Sequence, residues 1–231
     1  MNSMIGTLYI VPTPIGNLED MTLRAIRILK GVNLVLCEDT SVTQKLFNHY
    51  DIDTSTSVFF AQTKLKNIEK ILKMLDEGSQ IALVSDAGTP TISDPGVLLV
   101  DRVRTELPDV KIVSLPGASA ITTALSSSGI SSAQFLFLGF LPHKKGRETL
   151  FKEIAESKRT IVFYESVHRI EKTLESLSEH LSEERKIAIA RELTKIHEEL
   201  VRGSAKEVRN YFGKKRDKIR GEFVVIIEGR K

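Results

Sequence analysis

The sequence predicts an α/β protein in two lobes, the first built on a mostly parallel sheet. Three observations lead there. Short, near-continuous apolar runs alternate with amphipathic stretches, the pattern of strands covered on both faces and joined by helices. Helix punctuation by Asp, Ser, Gly and Pro falls between these runs. A break rich in Gly, Pro and basic residues at 139–146 divides the chain into 1–138 and 139–231.

The strands expected in the first lobe are TLYIV (7–11), NLVLCE (33–38), SVFF (57–60), QIALVS (80–85) and VKIVSL (110–115). Helical spacing covers 20–30, 40–50, 66–77, 94–107 and 118–128. Asp20 reads as an N-cap with Gly31 just past that helix, and Ser93-Asp94-Pro95 reads as a cap ahead of a first-turn proline. In the second lobe, helices are expected near 148–157, 169–181 and 205–212. Strands are expected at RTIVFYE (159–165), KIAIARE (186–192) and EFVVIIE (222–228).

With 231 residues, 41% hydrophobic and 27% charged, the chain has the balance of an ordinary globular protein and the length to bury a core. No apolar run is long enough to span a membrane, and the first residues lack a basic segment followed by an apolar one. The single cysteine, Cys37, precludes an internal disulfide. A cytoplasmic location is the expectation. Net charge is +3, which neither requires nor excludes a nucleic-acid partner. Positive charge gathers in PHKKGR (142–147) and GKKRDKIRG (213–221).

The common signatures are missing. There is no GxxxxGK[ST], no GxGxxG after the first strand, no HExxH and no GxSxG. The histidines are scattered, so no metal site is expected. What stands out instead are strand ends that stop in Gly, Pro, hydroxyl and acidic residues: PTPIGN, CEDT, SDAGTPTISDPG and LPGASA. In a parallel sheet, loops following the strands fall on one edge, where ligands bind. YESVHR (164–169) and RELTKIHEE (191–199) repeat the pattern in the second lobe, with Glu192 directly after an apolar strand.

Taken in order, YIVPTPIGNLEDMTLRAIRIL, CEDT, VSDAGTPTISDPG, LPGASA, GFLPHKKGR, FYESVHRI, RELTKIHEE and GEFVVIIEG resemble the small-subunit (16S) ribosomal RNA ribose 2′-O-methyltransferase I family of the tetrapyrrole-methylase superfamily. The resemblance runs over nearly the whole chain. It implies a two-lobed tetrapyrrole-methylase-like fold with a smaller, mixed C-terminal α/β lobe, a homodimer, and S-adenosylmethionine held in the cleft between lobes. It places cofactor-binding positions on Ile15, Ser85, Asp86, Ala87, Gly88, Thr89, Ser119, Ala120, Tyr164, Leu193 and Glu222. The implied substrate is a cytidine in the decoding region of 16S ribosomal RNA within the small subunit.

Methyl transfer from a sulfonium needs no metal, but a hydroxyl nucleophile benefits from a base or charge stabiliser beside it. Glu38, Asp39, Glu192 and Lys195 follow strands and are the catalytic candidates. Lys64, Lys66, Lys144, Lys145, Arg147, Arg169 and the 214–220 cluster are the candidate RNA phosphate contacts. Two segments depart from the family pattern: Ser41 stands where CEDTR has arginine, and FAQTK (60–64) replaces a histidine-rich segment. Two rival readings are a same-fold methyltransferase acting on a tetrapyrrole or other small molecule, and a non-catalytic ribosome-binding module.

Overall fold

The structure is a computed structural model describing residues 5–60 and 65–230; the Lys64 candidate and most of FAQTK lie outside the described residues. The chain forms two compact units, Met1–Ser119 and Ala120–Lys231. The first contains β1 (Thr7–Ile10), α1 (Leu23–Gly31), β2 (Leu34–Cys37), α2 (Thr40–Tyr50), β3 (Thr56–Val58), α3 (Leu65–Asp76), β4 (Gln80–Leu83), α4 (Val97–Glu106) and β5 (Lys111–Ser114). Its sheet has the order β3-β2-β4-β1-β5, and every pairing is parallel. Parallel strands need crossover helices, and these cover both faces. Leu8, Ile10, Leu36, Ile81 and Leu83 pack with α3 and α4, while Val35, Cys37, Ala82 and Val84 pack with α1 and α2. That two-sided burial is why the inner strands β1, β2 and β4 read as continuous apolar runs.

The second unit contains α5 (Ala120–Ser128), β6 (Phe135–Phe140), α6 (Arg147–Glu156), β7 (Thr160–Ser166), α7 (Ile170–His180), β8 (Lys186–Arg191), β9 (Glu199–Ser204), α8 (Ala205–Lys214) and β10 (Glu222–Ile227). Its sheet order is β6-β7-β10-β8-β9, with β6 parallel to β7 and the remaining pairs antiparallel. The sheet is therefore mixed. Phe163, Ile187, Ile189, Phe223 and Val225 pack with Phe151, Leu174, Leu177 and Phe212 from α6, α7 and α8. Helix α5 packs against β8, β9 and β10. No described helix is long and apolar enough to cross a membrane.

Several expectations need correction. The units divide at Ser119–Ala120 rather than after residue 138, because α5 and β6 pack with the second unit. Helix α1 is capped by Thr22, whose hydroxyl accepts from Ala25 N at 3.1 Å, and Gly31 is its last residue; Asp20 ends a separate 3-10 turn. Helix α4 starts at Val97 with Gly96 as its cap, so Ser93 and Asp94 belong to the preceding loop. Strands β6 and β9 were not expected. Edge strand β6 is exposed or half-buried along its whole length despite its apolar sequence, and β9 (ELVRGS) lacks a strong alternating pattern.

Arg185, which is buried, staples the second unit. Its guanidinium donates to Glu228 O at 2.6 Å, Ile154 O at 2.9 Å and Ser157 O at 3.1 Å, and also to Ala155 O. It thereby satisfies the last carbonyls of α6 and joins them to the end of β10. Removing it takes the charged donor from all four carbonyls, of which Ile154 O and Ser157 O keep backbone donors, Ser157 N at 3.3 Å and Arg230 N at 2.7 Å, and an ammonium cannot reproduce the fork. Arg185→Ala is expected to lower unfolding stability by about 3 kcal/mol, and Arg185→Lys by about 2 kcal/mol, in urea titrations. Equal midpoints for wild type and Arg185→Lys would remove the fork geometry as the cause.

Candidate active site

In the first unit, the loops after β1, β2, β4 and β5 emerge at the same edge of the parallel sheet, and a small set of contacts fixes them. Thr13 and Gly88 form an isolated antiparallel bridge, Thr13 N to Gly88 O at 2.9 Å and Gly88 N to Thr13 O at 3.0 Å. The Thr13 hydroxyl donates to Ser85 O at 2.9 Å, the Ser85 hydroxyl to Gly88 O at 3.1 Å, and the Thr89 hydroxyl to Ala118 O at 3.0 Å. Gly88 has φ +84°, and a Cβ there would stand 3.3 Å from Ile15 Cγ2. A Cβ on Gly117 would stand 2.5 Å from Pro12 Cβ. Glycine at 88 keeps open a cradle that any side chain would fill. Thr91 and Ser93 adopt φ of +75° and +60°, a strained backbone of the kind that collects at functional loops.

Within this loop Ser85 and Gly88 are buried and internally bonded, whereas Asp86 and Ala87 are exposed. The Ser85 hydroxyl thus shapes the loop and does not face outward. Ile15 is buried and apolar, Ser119 is half-buried, and Thr89 is half-buried beside Ala118.

Carboxylates at the same edge differ in state. Asp39 caps α2: its Oδ1 accepts from Ser41 N and Ser41 Oγ, both at 2.7 Å. The hydroxyl of Ser41 is the leading cause that holds Asp39 below the usual carboxylate range. A low, cap-engaged carboxylate is a poor base, so the structure gives Asp39 a helix-capping role. Asp86 Oδ1 accepts from Asp39 N at 3.1 Å, and although the residue as a whole is exposed, partial burial of its carboxyl group raises it. Asp94 Oδ1 accepts from Gly96 N at 2.6 Å, while its Oδ2 is buried with no hydrogen-bond partner among the described residues. Glu38 is half-buried. Burial, followed by the negative charge of Asp94, pushes its carboxyl up to about 7. Of the acidic candidates it alone is poised near neutrality. Asp94, expected only as a helix cap, is the residue that sequence reasoning undervalued; its effect on Glu38 joins two loops far apart in sequence.

In the second unit, Glu192, Lys195 and Glu222 come together. Lys195 Nζ lies 3.0 Å from Glu192 Oε1 and 3.0 Å from Glu222 Oε2, and Glu222 N donates to Glu192 Oε1 at 3.3 Å. Burial works to raise Glu192, but the Lys195 ammonium overcomes it and holds the carboxyl below its usual range. Burial likewise works against the Lys195 charge, and the two glutamates raise it. This pair is a closed ion pair rather than a base. Glu192 and Thr194 have φ of +50° and +65°, and Leu193 between them is buried. Gly221, at φ +79°, faces Glu192 so closely that a Cβ would overlap Oε1. Tyr164 on β7 stacks edge-on with Phe137 at 5.1 Å, and burial raises its phenol, helped by Glu222. Ala120 opens α5.

The basic candidates divide. Lys144 and Lys145 are exposed and make no ion pair with any described residue; Lys66 is exposed on α3. Arg147 and Arg169 were expected to face RNA, but their side chains are only 16% and 15% exposed and turn inward onto buried Glu165. Lys218 pairs with Glu199 and, with Lys215, lies over the Tyr211 ring. Burial opposes ionisation of Glu199, yet Lys218, Tyr211 and Arg191 hold its carboxyl down at about 2. Sequence shows where charge is, not what it faces.

Residues 7–209 match the model of the Tetrapyrrole (Corrin/Porphyrin) Methylases. Among curated relatives, a protein from Pasteurella multocida named Ribosomal RNA small subunit methyltransferase I is 43% identical over 100% of this chain and 82% of its own. Proteins of the same name from Bacillus subtilis and Thermotoga maritima are 46% and 45% identical, each over 98% of this chain and over 76% and 100% of their own lengths. Among solved structures, a cobalt precorrin-4 methyltransferase aligns with TM-score 0.70 at 18% identity, over 96% of this chain and 94% of that one. A uroporphyrin-III C-methyltransferase from Thermus thermophilus, complexed with S-adenosyl homocysteine, aligns with TM-score 0.65 at 16% identity, over 96% and 97%. These structural likenesses establish the fold. The chain belongs to the tetrapyrrole methylase family and, within it, to the ribosomal RNA small subunit methyltransferase I family.

Proposed function

We propose that the chain is an S-adenosylmethionine-dependent methyltransferase that modifies a cytidine ribose 2′-hydroxyl in the decoding region of 16S ribosomal RNA within the small subunit, working as a cytoplasmic homodimer. The names and full-length identity of its relatives support the RNA substrate. The observation that carries the chemistry is Glu38, a carboxyl raised to about 7 beside the glycine-cradled loop. A cradle with apolar Ile15 on one side and exposed Asp86 and Ala87 at its rim fits a ligand that is part apolar and part charged.

S-adenosylmethionine supplies a methyl on a sulfonium, an activated leaving group. Asp86, Ala87, Gly88, Thr89, Ile15 and Ser119 would hold it in the first unit, and Ala120, Tyr164, Leu193 and Glu222 are the second unit's candidates for the same role. The protein's remaining work is alignment, which supplies roughly 7–11 kcal/mol in favourable cases, and removal of the hydroxyl proton. Glu38 accepts that proton as the nucleophile attacks. A base with a pKa near working pH combines a large deprotonated fraction with real proton affinity. Glu192, paired with Lys195, serves instead to hold the turn that contains Leu193.

Labelled methyl from S-adenosylmethionine is expected in one alkali-resistant dinucleotide of unmodified small subunits. Glu38→Gln should lower kcat by about 10²- to 10⁴-fold with cofactor affinity by calorimetry changed less than threefold or so, whereas Glu192→Ala should affect turnover far less. Full turnover by Glu38→Gln would exclude it as the base. Label in a soluble macrocycle instead would favour the tetrapyrrole reading.

Glu38 also makes a stability prediction. Its folded-state pKa, about 7, lies above the ordinary 4.5, so between these values the native state binds more protons than the unfolded chain. Its contribution to stability therefore falls as pH rises from about 4.5 to about 7. Solvent screening of a partly exposed group reduces the effect to the order of 1 kcal/mol. Relative to wild type, Glu38→Gln should be more stable by that amount at pH 8 than at pH 4.5 in paired urea titrations; a constant difference would mean the carboxyl is not raised.

A further inference from the structure

Glu165, on β7 of the second unit, is 1% exposed, an unusual place for a carboxylate. Its Oε1 accepts from Arg169 Nε at 2.7 Å and from Ser166 N at 2.9 Å. Its Oε2 accepts from the Thr173 hydroxyl at 2.6 Å and lies 3.6 Å from Arg147 Nη2. Both guanidiniums continue beyond this hub to one loop. Arg169 Nη1 donates to Leu141 O at 2.7 Å, and Arg147 Nη1 to Pro142 O at 3.1 Å. Arg147 Nη2 also donates to the Thr173 hydroxyl at 2.7 Å, and its guanidinium sits 5.0 Å over the Phe151 ring.

Two arginines that one buried carboxylate orients thus hold the adjacent Leu141 and Pro142 carbonyls at the start of the loop, and the anchored side chain of Arg147 fixes its end. Between the clamps, His143, Lys144, Lys145 and Gly146 are exposed, and Arg147 N bonds back to Lys144 O at 3.2 Å. Buried ion pairs add little net stability over apolar packing, but they fix orientation. A lysine is a flexible point charge, so its value at a phosphate depends on where the backbone holds it.

We infer that Glu165 is a positioning residue: through Arg147, Arg169 and Thr173 it holds the Leu141–Arg147 loop so that Lys144 and Lys145 form a fixed pair of phosphate contacts for the RNA substrate. The inference rests on the RNA reading given above. The two arginines are then the frame of the contact and not part of its surface.

The test uses full-length protein and isolated small ribosomal subunits. K144A/K145A should lower the slope of log affinity against log salt by about 1.5, the share of two phosphates. E165Q keeps both lysines, yet should raise KM for subunits about five- to tenfold with kcat and S-adenosylmethionine affinity unchanged. Hydrogen exchange at amides of residues 143–147 should quicken about tenfold in E165Q. Combined with K144A/K145A, E165Q should add less than its separate effect, because both act on one contact. A folded E165Q with wild-type loop exchange and KM overturns the inference, and so do effects that multiply. T173V retains both ion pairs while removing the bridging hydroxyl, and covers the case in which E165Q fails to fold. It should show the same changes at about threefold, and wild-type behaviour overturns the inference equally. Failure of the RNA reading looks different: wild type itself then shows no salt-dependent binding to subunits, which overturns both.

Discussion

Two backbone hydrogen bonds between Thr13 and Gly88 join the loop after β1 to the loop after β4, two neighbouring strands of the parallel sheet. The first unit's candidate site follows from that bridge. With Gly88 held, the Ser85 hydroxyl closes the loop from within, Thr89 reaches Ala118 after β5, and Asp86 and Ala87 are left at the surface. Asp86 in turn accepts from Asp39 N, which draws in the loop after β2. Four segments distant in sequence are registered by a handful of contacts, each short enough to be specific.

The two units use charge in opposite ways. In the first, Glu38, Asp86 and Asp94 gather at one edge of the sheet, so burial and mutual repulsion lift Glu38 toward neutrality. In the second, three buried or half-buried acids are paired with cations: Glu165 with Arg147 and Arg169, Glu192 with Lys195, Glu199 with Arg191 and Lys218. The result is a set of ion pairs of fixed geometry, suited to holding loops. Proton transfer needs the first kind of environment and rigid framing needs the second.

Much of this was legible in the sequence because two-sided burial leaves an unmistakable trace. The inner strands β1, β2 and β4 appear as apolar runs, since Leu8, Ile81 and Val35 face covered surfaces whichever way they point, whereas the edge strands β3 and β5 are partly exposed. Where burial is partial, sequence and exposure part company: β6 is apolar in sequence yet exposed or half-buried throughout, and β9 lacks a strong alternating pattern. Loop geometry was less readable. SDPG has the composition of a helix start, but the positive φ at Ser93 and the bond from Gly96 to Asp94 delay α4 to Val97. Site chemistry divided along the same line. The acidic residues after β2 were visible, but which of Glu38 and Asp39 can act as a base depends on Ser41, which occupies Asp39, and on Asp94, which repels Glu38. Arg147 and Arg169 read as surface charge because a buried partner eighteen and four residues away leaves no local mark.

The meeting of Gly221 and Glu192 sets an order on how this sequence can drift. A Cβ at 221 would overlap the Glu192 carboxylate, and φ +79° disfavours any side chain there regardless of space. Shortening Glu192 removes the first obstacle and leaves the second, so position 221 opens only after the turn before β10 has itself been rebuilt. Glu192 can vary while Gly221 stays, but the reverse route is closed. One residue of the pair is therefore an anchor in evolutionary time and the other a passenger, although in the folded protein they touch as equals.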